Sequence, residues 1–334
     1  MPDRPLTLEA PDVQAQKPSL QVGLSRVGVT GVEKVIRISQ HGVEQLFWAK
    51  LDCFVDLAGD QKGAHMSRFE EVVNEAIGTV VLGESTFRAE DLAQRIAELV
   101  RERQGARRAE VTIAARYPEH KPAPVSGIDT QEIYTLYGMA VASERGTRRL
   151  VGVAAQGMTA CPCAQQLVGA AARARLLEQG FGEDEIAQVF EAVPLATHNQ
   201  RGLGTLHIGA TESESLAIDA RTLLEIVENS MSSEIYELMK RVDEVAVVEK
   251  AHRRPRFVED CVREMLEGVL AGLPQLPDGA FVSARQENLE TIHQHNVAAE
   301  RYGTLAELRR ELSTGEMPTH HTTLREWLDT SIGL

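Results

Sequence analysis

Side chains able to do chemistry gather in the second half of this 334-residue chain. Gln156-Gly157-Met158-Thr159-Ala160-Cys161-Pro162-Cys163 carries two thiols two residues apart. An apolar-patterned run follows, including Leu167, Ala170, Ala171 and Leu176, so Pro162 reads as the first residue of a helix and Cys161 as its N-cap. Unpaired backbone N–H groups and the positive end of a helix dipole favour a thiolate at that position, the form that ligates metal or attacks carbon. The plainer alternative is a pair of ordinary thiols at a helix start. Their spacing is not that of a zinc ribbon, and no second pair exists to complete one.

His198 lies in the polar run Ala196-Thr197-His198-Asn199-Gln200-Arg201-Gly202, off any apolar stripe; a surface histidine is the plainer alternative. His293 and His295 flank Gln294 in Glu290-Thr291-Ile292-His293-Gln294-His295-Asn296. On an extended chain both imidazoles point to one face, as metal sites and proton relays require, whereas on a helix they diverge. Glu244 follows Lys240-Arg241-Val242-Asp243 at the expected end of a long helix, where an acid opposes the dipole and does not stabilise the terminus. Glu259 sits near the start of a helix from Pro255, off the stripe formed by Phe257, Val258, Cys261, Val262, Met265 and Leu266; an acid in a first turn is favourable in any case. Cys53 and Cys261 lie among apolar residues and read as core.

The elements that must position these groups follow from hydrophobic periodicity. Residues 1–20 are rich in proline and polar residues and read as an irregular arm. Strands are expected at Val22–Thr30 and Gln45–Leu57, helices at Met66–Ile77 and Ala89–Arg103, and strands again at Ala109–Arg116 and Thr130–Ala142. After Gly146 the order returns: strands at Arg149–Gln156 and Gly204–Ala210, helices at Asp219–Lys240 and Pro255–Leu270, and a strand pair from about Ala280. A helical segment, Pro162–Ala192, is inserted between the first two strands of this repeat, so the units run 21–146 and 147–334. Closely joined strands with helices grouped between the pairs predict an α+β fold with antiparallel sheets. Neither a dinucleotide-binding nor a P-loop glycine pattern occurs.

A net charge of −14 argues against broad binding to nucleic acid or an anionic membrane, since both need a basic surface. No apolar run approaches the roughly 18 residues of a membrane span, and the first residues lack a signal-peptide layout, so a cytoplasmic protein is expected. Four cysteines in a chain this long are not a disulfide framework.

Several motifs in order, Asp12-Val13-Gln14, Leu24-Ser25-Arg26-Val27-Gly28-Val29-Thr30-Gly31, Gly63-Ala64-His65-Met66-Ser67-Arg68, Gly157-Met158-Thr159-Ala160-Cys161-Pro162-Cys163, Thr197-His198-Asn199-Gln200-Arg201-Gly202 and Ile292-His293-Gln294-His295-Asn296, resemble the type IB GTP cyclohydrolases and their archaeal methanopterin-pathway relatives. The resemblance runs from about residue 12 to 310. It implies a tunnelling fold of tandem β-β-α-α-β-β units, a homotetrameric barrel with active sites where subunits meet, and GTP as substrate. It implies a divalent metal, Fe(II), Mn(II) or Zn(II), on Cys161, His198, Glu244 and His293, with Glu259 on the guanine edge. Within that frame Cys163 contacts the guanine C8, His295 shuttles protons, and Arg68, Arg201 and His65 are candidates to hold the triphosphate. The folate-pathway type yields 7,8-dihydroneopterin triphosphate and the methanopterin type the 2′,3′-cyclic phosphate; the Gly-Met-Thr-Ala-Cys motif and the 162–192 insertion look more like the latter. Two alternatives remain at this point: a tunnelling-fold NADPH-dependent reductase using a metal-free cysteine on a deazapurine nitrile, and a binding protein with a closed structural metal site.

Overall fold

The computed structural model describes residues 12–40, 43–81, 88–211 and 218–329. Strand β1 (Leu24–Gln40) pairs antiparallel with β2 (Val43–Leu57), and Phe47, Ala49, Leu51, Cys53 and Val55 alternate as the buried face of β2. β1 continues ten residues past its expected end at Thr30. Gly31 stops no strand; it occupies an irregularity between Val29 and Val32, with φ +68° and its N–H donated to the Asp52 carboxylate at 2.7 Å. A left-handed residue inside a strand favours glycine and reads locally like a turn. Helices α1 (Met66–Val81) and α2 (Ala89–Gln104) bury Phe69, Val72, Leu92 and Ile96, and β3 (Arg108–Pro122) and β4 (Asp129–Ser143) complete the order β-β-α-α-β-β. The expected arm lies partly outside the described residues, which begin at Asp12. Its described part is tied down: Lys62 and Gly63 donate backbone N–H groups to the Gln14 carbonyl, joining two motifs far apart in sequence.

The second half repeats the order with additions. β5 (Gly146–Ala160) leads into the inserted helices α3 (Pro162–Glu178) and α4 (Glu183–Ala192), then β6 (Asn199–Thr211), α5 (Ala220–Ser230), β7 (Ser233–Glu234), α6 (Arg241–Arg253), α7 (Val258–Gly272), β8 (Phe281–Leu289), β9 (Val297–Thr304), α8 (Leu305–Thr314) and α9 (Leu324–Asp329). The single helix expected over Asp219–Lys240 does not form. Ser230, Ser232 and Ser233 offer the backbone competing partners at its middle: the Ser230 hydroxyl donates to the Val227 carbonyl, and Ser232 Oγ accepts the Ala160 N–H at 3.0 Å. The chain leaves the helix at Met231, pairs β7 with Gly157–Met158 of β5, and starts a new helix at Arg241.

By internal contacts the chain forms two compact units. One comprises residues up to Ile113 with Gly138–Arg149; the other comprises Ala114–Tyr137 and the residues from Leu150 on. Within the first unit β1 pairs with β2; within the second β6 pairs with β8, β8 with β9, and β7 with the C-terminal part of β5. The fold is α+β with antiparallel strand pairs and helices grouped between them. In the second unit Leu206 and Ile208 of β6, Leu223 and Val227 of α5, Cys261 and Met265 of α7 and Val282 and Ala284 of β8 are all buried. Full burial of each large side chain there contributes roughly 1.5–3 kcal/mol relative to exposure. Cys53 and Cys261 are core residues as expected, and burial pushes both thiols up to about 12. Among the described residues no helix is long and apolar enough to cross a membrane.

Candidate active site

Cys161 is the N-cap of α3, with Pro162 at the first helical position, as the sequence predicts. Its Sγ accepts the Ala164 N–H at 3.5 Å. Around it the backbone is held on several sides: the Cys161 N–H donates to the His198 carbonyl at 3.1 Å, the Thr197 hydroxyl donates to the Cys161 carbonyl at 2.8 Å, and the Arg256 N–H donates to the Ala160 carbonyl at 2.9 Å. The helix itself is pinned by Gln165, whose side-chain amide donates to the carbonyls of Leu195 and His252. Cys161 is half-buried; Cys163, one residue into α3, is exposed.

His198 enters from the segment just before β6. Its Nδ1 lies 3.0 Å from Gln200 Oε1 and 3.7 Å from Glu290 Oε2. The 291–295 segment between β8 and β9 is bent, not extended, so the alternation argument does not apply to it. The two histidines nevertheless share a side: their rings stack at 5.2 Å between centroids and 16°, and His293 meets His198 edge-on at 6.3 Å. Thr291 fastens the bend by donating to the Asn199 carbonyl at 3.0 Å. Cys161, His198, His293 and His295 are thus brought into one neighbourhood of the second unit.

The remaining expected residues stand elsewhere. Glu244 is exposed on the first turn of α6, not at a helix C-terminus, because the chain breaks at Met231; an acid there favours the helix dipole. Glu259 is on the first turn of α7, as expected, and lines a groove of about 690 Å³ with Val262, Leu266, Ala299, Arg301 and Leu308; none of Cys161, His198 or His293 lines it. Arg201 donates to Gln156 Oε1 at 2.7 Å. His65 and Arg68 belong to the first unit, where His65 Nε2 lies 3.5 Å from the Asp12 carboxylate and Arg68 donates to the Arg103 carbonyl.

Two acids of the second unit, one of them beside the cluster, escaped the sequence reading. Glu290 has a nearly enclosed side chain, 7% exposed, whose Oε2 has no hydrogen-bond partner. The signal for it was the polar alternation Gln286, Asn288, Glu290 in a strand otherwise apolar on that face. Glu234, on β7, pairs with Gly157 and receives both carboxylate hydrogen bonds from Lys250 Nζ at 2.6 and 2.7 Å. Burial pushes its carboxyl up, but the Lys250 ammonium outweighs that and holds it below the usual range.

In donor chemistry the neighbourhood fits a divalent cation: a thiol sulfur at a helix N-terminus, imidazoles, and a buried carboxylate oxygen lacking a partner. Among the described residues, however, no three His, Cys, Asp or Glu side chains converge closely enough to hold an ion by themselves.

Residues 10–299 match the family described as type I GTP cyclohydrolase folE2. The chain belongs to that family. Similar proteins include the GTP cyclohydrolase MptA of Methanococcus maripaludis strain C5, 40% identical over 314 residues, which cover 92% of this chain and 99% of that protein. The MptA proteins of Methanosarcina mazei and Haloarcula marismortui are 40% and 41% identical over 317 and 313 residues, each 92% of this chain and 98% or 99% of theirs. Among solved structures, the uricase of Arthrobacter globiformis superposes with a TM-score of 0.49 at 8% identity over 89% of this chain and 96% of that one, a likeness too slight to carry an argument. The resemblance read from the motifs is borne out. The chain is a GTP cyclohydrolase of this family by sequence, and the reductase alternative has nothing left to support it.

Proposed function

We propose that this protein opens the imidazole ring of the guanine of GTP by hydrolysis at C8, with release of formate, and that the product is the 7,8-dihydroneopterin 2′,3′-cyclic phosphate, the β- and γ-phosphates leaving as diphosphate when a ribose-derived hydroxyl closes on the α-phosphate. The observation that carries the reaction is the meeting of Cys161, His198 and His293 in a chain of the cyclohydrolase family. The product rests on the 40% identity to MptA proteins over nearly the whole chain, together with the inserted helices α3 and α4.

Cys161, His198 and His293 would hold the divalent metal, with a carboxylate completing the set. The motif resemblance assigns that carboxylate to Glu244, while Glu290 stands nearest to His198. When bound, a cation of this kind activates water and stabilises the charge developing on the ring. The protein's own contribution is to orient and to move protons. The ladder between Cys161 and Thr197–His198 fixes the thiol and the imidazole relative to each other. His295, exposed and stacked on His293, is positioned to carry a proton between the ring and solvent. Cys163 is the exposed thiol that contacts C8. Glu259 would accept the paired N–H groups of the guanine edge, and Arg201, Arg68 and His65 would bind phosphate oxygens. The repeated strand-helix order supports a tandem tunnelling fold, and the motif resemblance adds its assembly as a homotetrameric barrel.

Anaerobically purified protein given GTP with Fe(II), Mn(II) or Zn(II) in turn is expected to release formate and, after oxidation, a fluorescent pterin, and Cys161→Ala is expected to do neither. Mass spectrometry of the same samples reads the product: cyclic phosphate supports the assignment, triphosphate moves the protein to the folate-pathway type. A folded protein that forms no formate with any of the three metals overturns the reading.

A further inference from the structure

A buried polar strip runs through the second unit to the back of His198. On β8, Gln286 and Asn288 are 0% and 2% exposed, and Glu290 follows at the same two-residue step. Gln286 Nε2 donates to Asn288 Oδ1 at 3.1 Å. Facing them on β6, Gly204 pairs with Gln286 and Gly202 with Asn288. The missing side chain at Gly202 is what admits the strip: a Cβ there would stand 2.4 Å from Gln286 Nε2 and 3.2 Å from Asn288 Oδ1. Gln200, 5% exposed, continues the same face of β6 by another two-residue step. Apolar side chains of this size would serve a core better, because each buried amide demands partners. The strip ends where those partners have a use, at His198 Nδ1.

We propose that Gln200 and Glu290 are positioning residues for His198: Gln200 Oε1 accepts from Nδ1–H and the Glu290 carboxylate faces the same N–H, which fixes the ring and its tautomer and leaves Nε2 as the working nitrogen. The argument is one of donors and acceptors. Two oxygens flank Nδ1, at 3.0 and 3.7 Å. The amide of Gln200 could be turned to present its NH₂, but a carboxylate has no hydrogen to give and so settles the direction. Glu290 Oε2 is buried without a hydrogen-bond partner, a costly state that the positive edge of Nδ1–H, 3.7 Å away, partly offsets. A histidine whose second nitrogen is tied to a carboxylate has a fixed orientation and a more basic free nitrogen, suited to ligation or to proton transfer.

The role in catalysis rests on the proposed cyclohydrolase reaction; the tautomer does not, so the two can fail separately. The tautomer is read by long-range proton–nitrogen correlation spectra of the protein with ¹⁵N-labelled histidine at about pH 8, where an imidazole is neutral. Comparison with His198→Gln identifies the signals. The expected pattern is Nδ1 protonated and Nε2 bare. In Gln200→Met/Glu290→Gln this pattern is expected to give way to the Nε2–H form or a mixture, and Zn(II) affinity by chelator competition to fall about tenfold or more. Gln200→Glu, which keeps an acceptor, is expected to retain the wild-type pattern, and it stands as the folded comparison if the double variant does not fold. An Nε2–H pattern in the wild type, or an unchanged Nδ1–H pattern in a folded double variant, overturns the proposal. In the cyclohydrolase assay kcat is expected to drop about tenfold in the double variant with KM for GTP little changed; absence of any wild-type turnover would overturn the function and leave the tautomer result standing.

Discussion

The two walls of the candidate site are built in opposite ways. The wall that carries Cys161 and His198 is held from four directions: a helix start, a two-rung ladder between residues 161 and 197–198, the Arg256 N–H, and the buried strip ending at Gln200 and Glu290. The wall that carries His293 and His295 is an exposed bend that Thr291 tethers to the first wall through the Asn199 carbonyl. A site built this way holds its sulfur and one imidazole in place before anything binds and leaves the other two imidazoles free to adjust. Pre-organised groups lose most when removed, whereas groups on a compliant segment can be partly replaced by their neighbours.

Cys161→Ala tests the rigid wall at its centre and should have the largest effect. The side chain makes one weak internal hydrogen bond, to the Ala164 N–H, so the fold should survive with little change in melting temperature. Formate release is expected to fall at least about a thousand-fold, the order of several kcal/mol of lost transition-state stabilisation. A variant that keeps most of its metal and activity would show that the sulfur is only a helix cap.

Substitutions on the compliant wall are expected to separate two roles. His293→Gln should lower metal content, while His295→Gln should keep the metal and slow turnover by about 100- to 10,000-fold, the range for loss of a general acid or base. Metal content by atomic spectroscopy beside single-turnover formate release reads both. With the rings stacked at 5.2 Å, a reversal of the two phenotypes would mean that the bend turns over before it works.

This difference between the walls also marks what the sequence could reveal. Cys161 was legible because proline follows it and an apolar-patterned run begins there, a local signal with a local cause. The core roles of Cys53 and Cys261 were equally plain, since each lies on an apolar stripe. Glu290 was not legible, because its meaning comes from His198, some ninety residues away, and from a strand register no window of sequence displays. Glu244 was misplaced on a helix end for a related reason. Residues 219–240 have helical periodicity throughout, and only the tertiary partners of Ser232 and β7 break the helix. The motif Asp12-Val13-Gln14 meets Gly63 through backbone hydrogen bonds that no periodicity predicts.

The carboxylate of the metal set is where the two walls and the outlying α6 compete. Glu290→Gln is expected to weaken metal binding about 10- to 100-fold, the usual effect of losing the partner of a ligating histidine. An equal or greater loss in Glu244→Gln would put the fourth ligand on the exposed turn of α6, in line with the motif resemblance. Unchanged metal content in Glu244→Gln would take Glu244 out of the metal set and leave Glu290 as the carboxylate that acts on it, through His198.

The smallest expected effect concerns what keeps the rigid wall rigid. His207 lies farther along β6, in the notch left by Gly152 of β5 and 5.3 Å from the Tyr137 ring; a Cβ on Gly152 would stand 2.2 Å from its Cδ2. β5 ends just before Cys161 and β6 begins just after His198, so His207 locks together the two strands that feed the site. Burial pushes its pKa down from 6.5 to about 4. The unfolded chain therefore takes up a proton below 6.5 that the folded one refuses until about 4, and stability that is complete above 6.5 drains away as the pH falls through that window, by at most about 3 kcal/mol. His207→Gln should flatten this part of the pH dependence, read as the difference in melting temperature between variant and wild type at each pH. Amide exchange should show β5 and β6 of the wild type losing protection in the same window, ahead of the bend at 291–295 losing what little it has. Equal pH dependence in wild type and variant would mean that the strands are held by packing alone, and that the rigidity of the first wall is insensitive to His207.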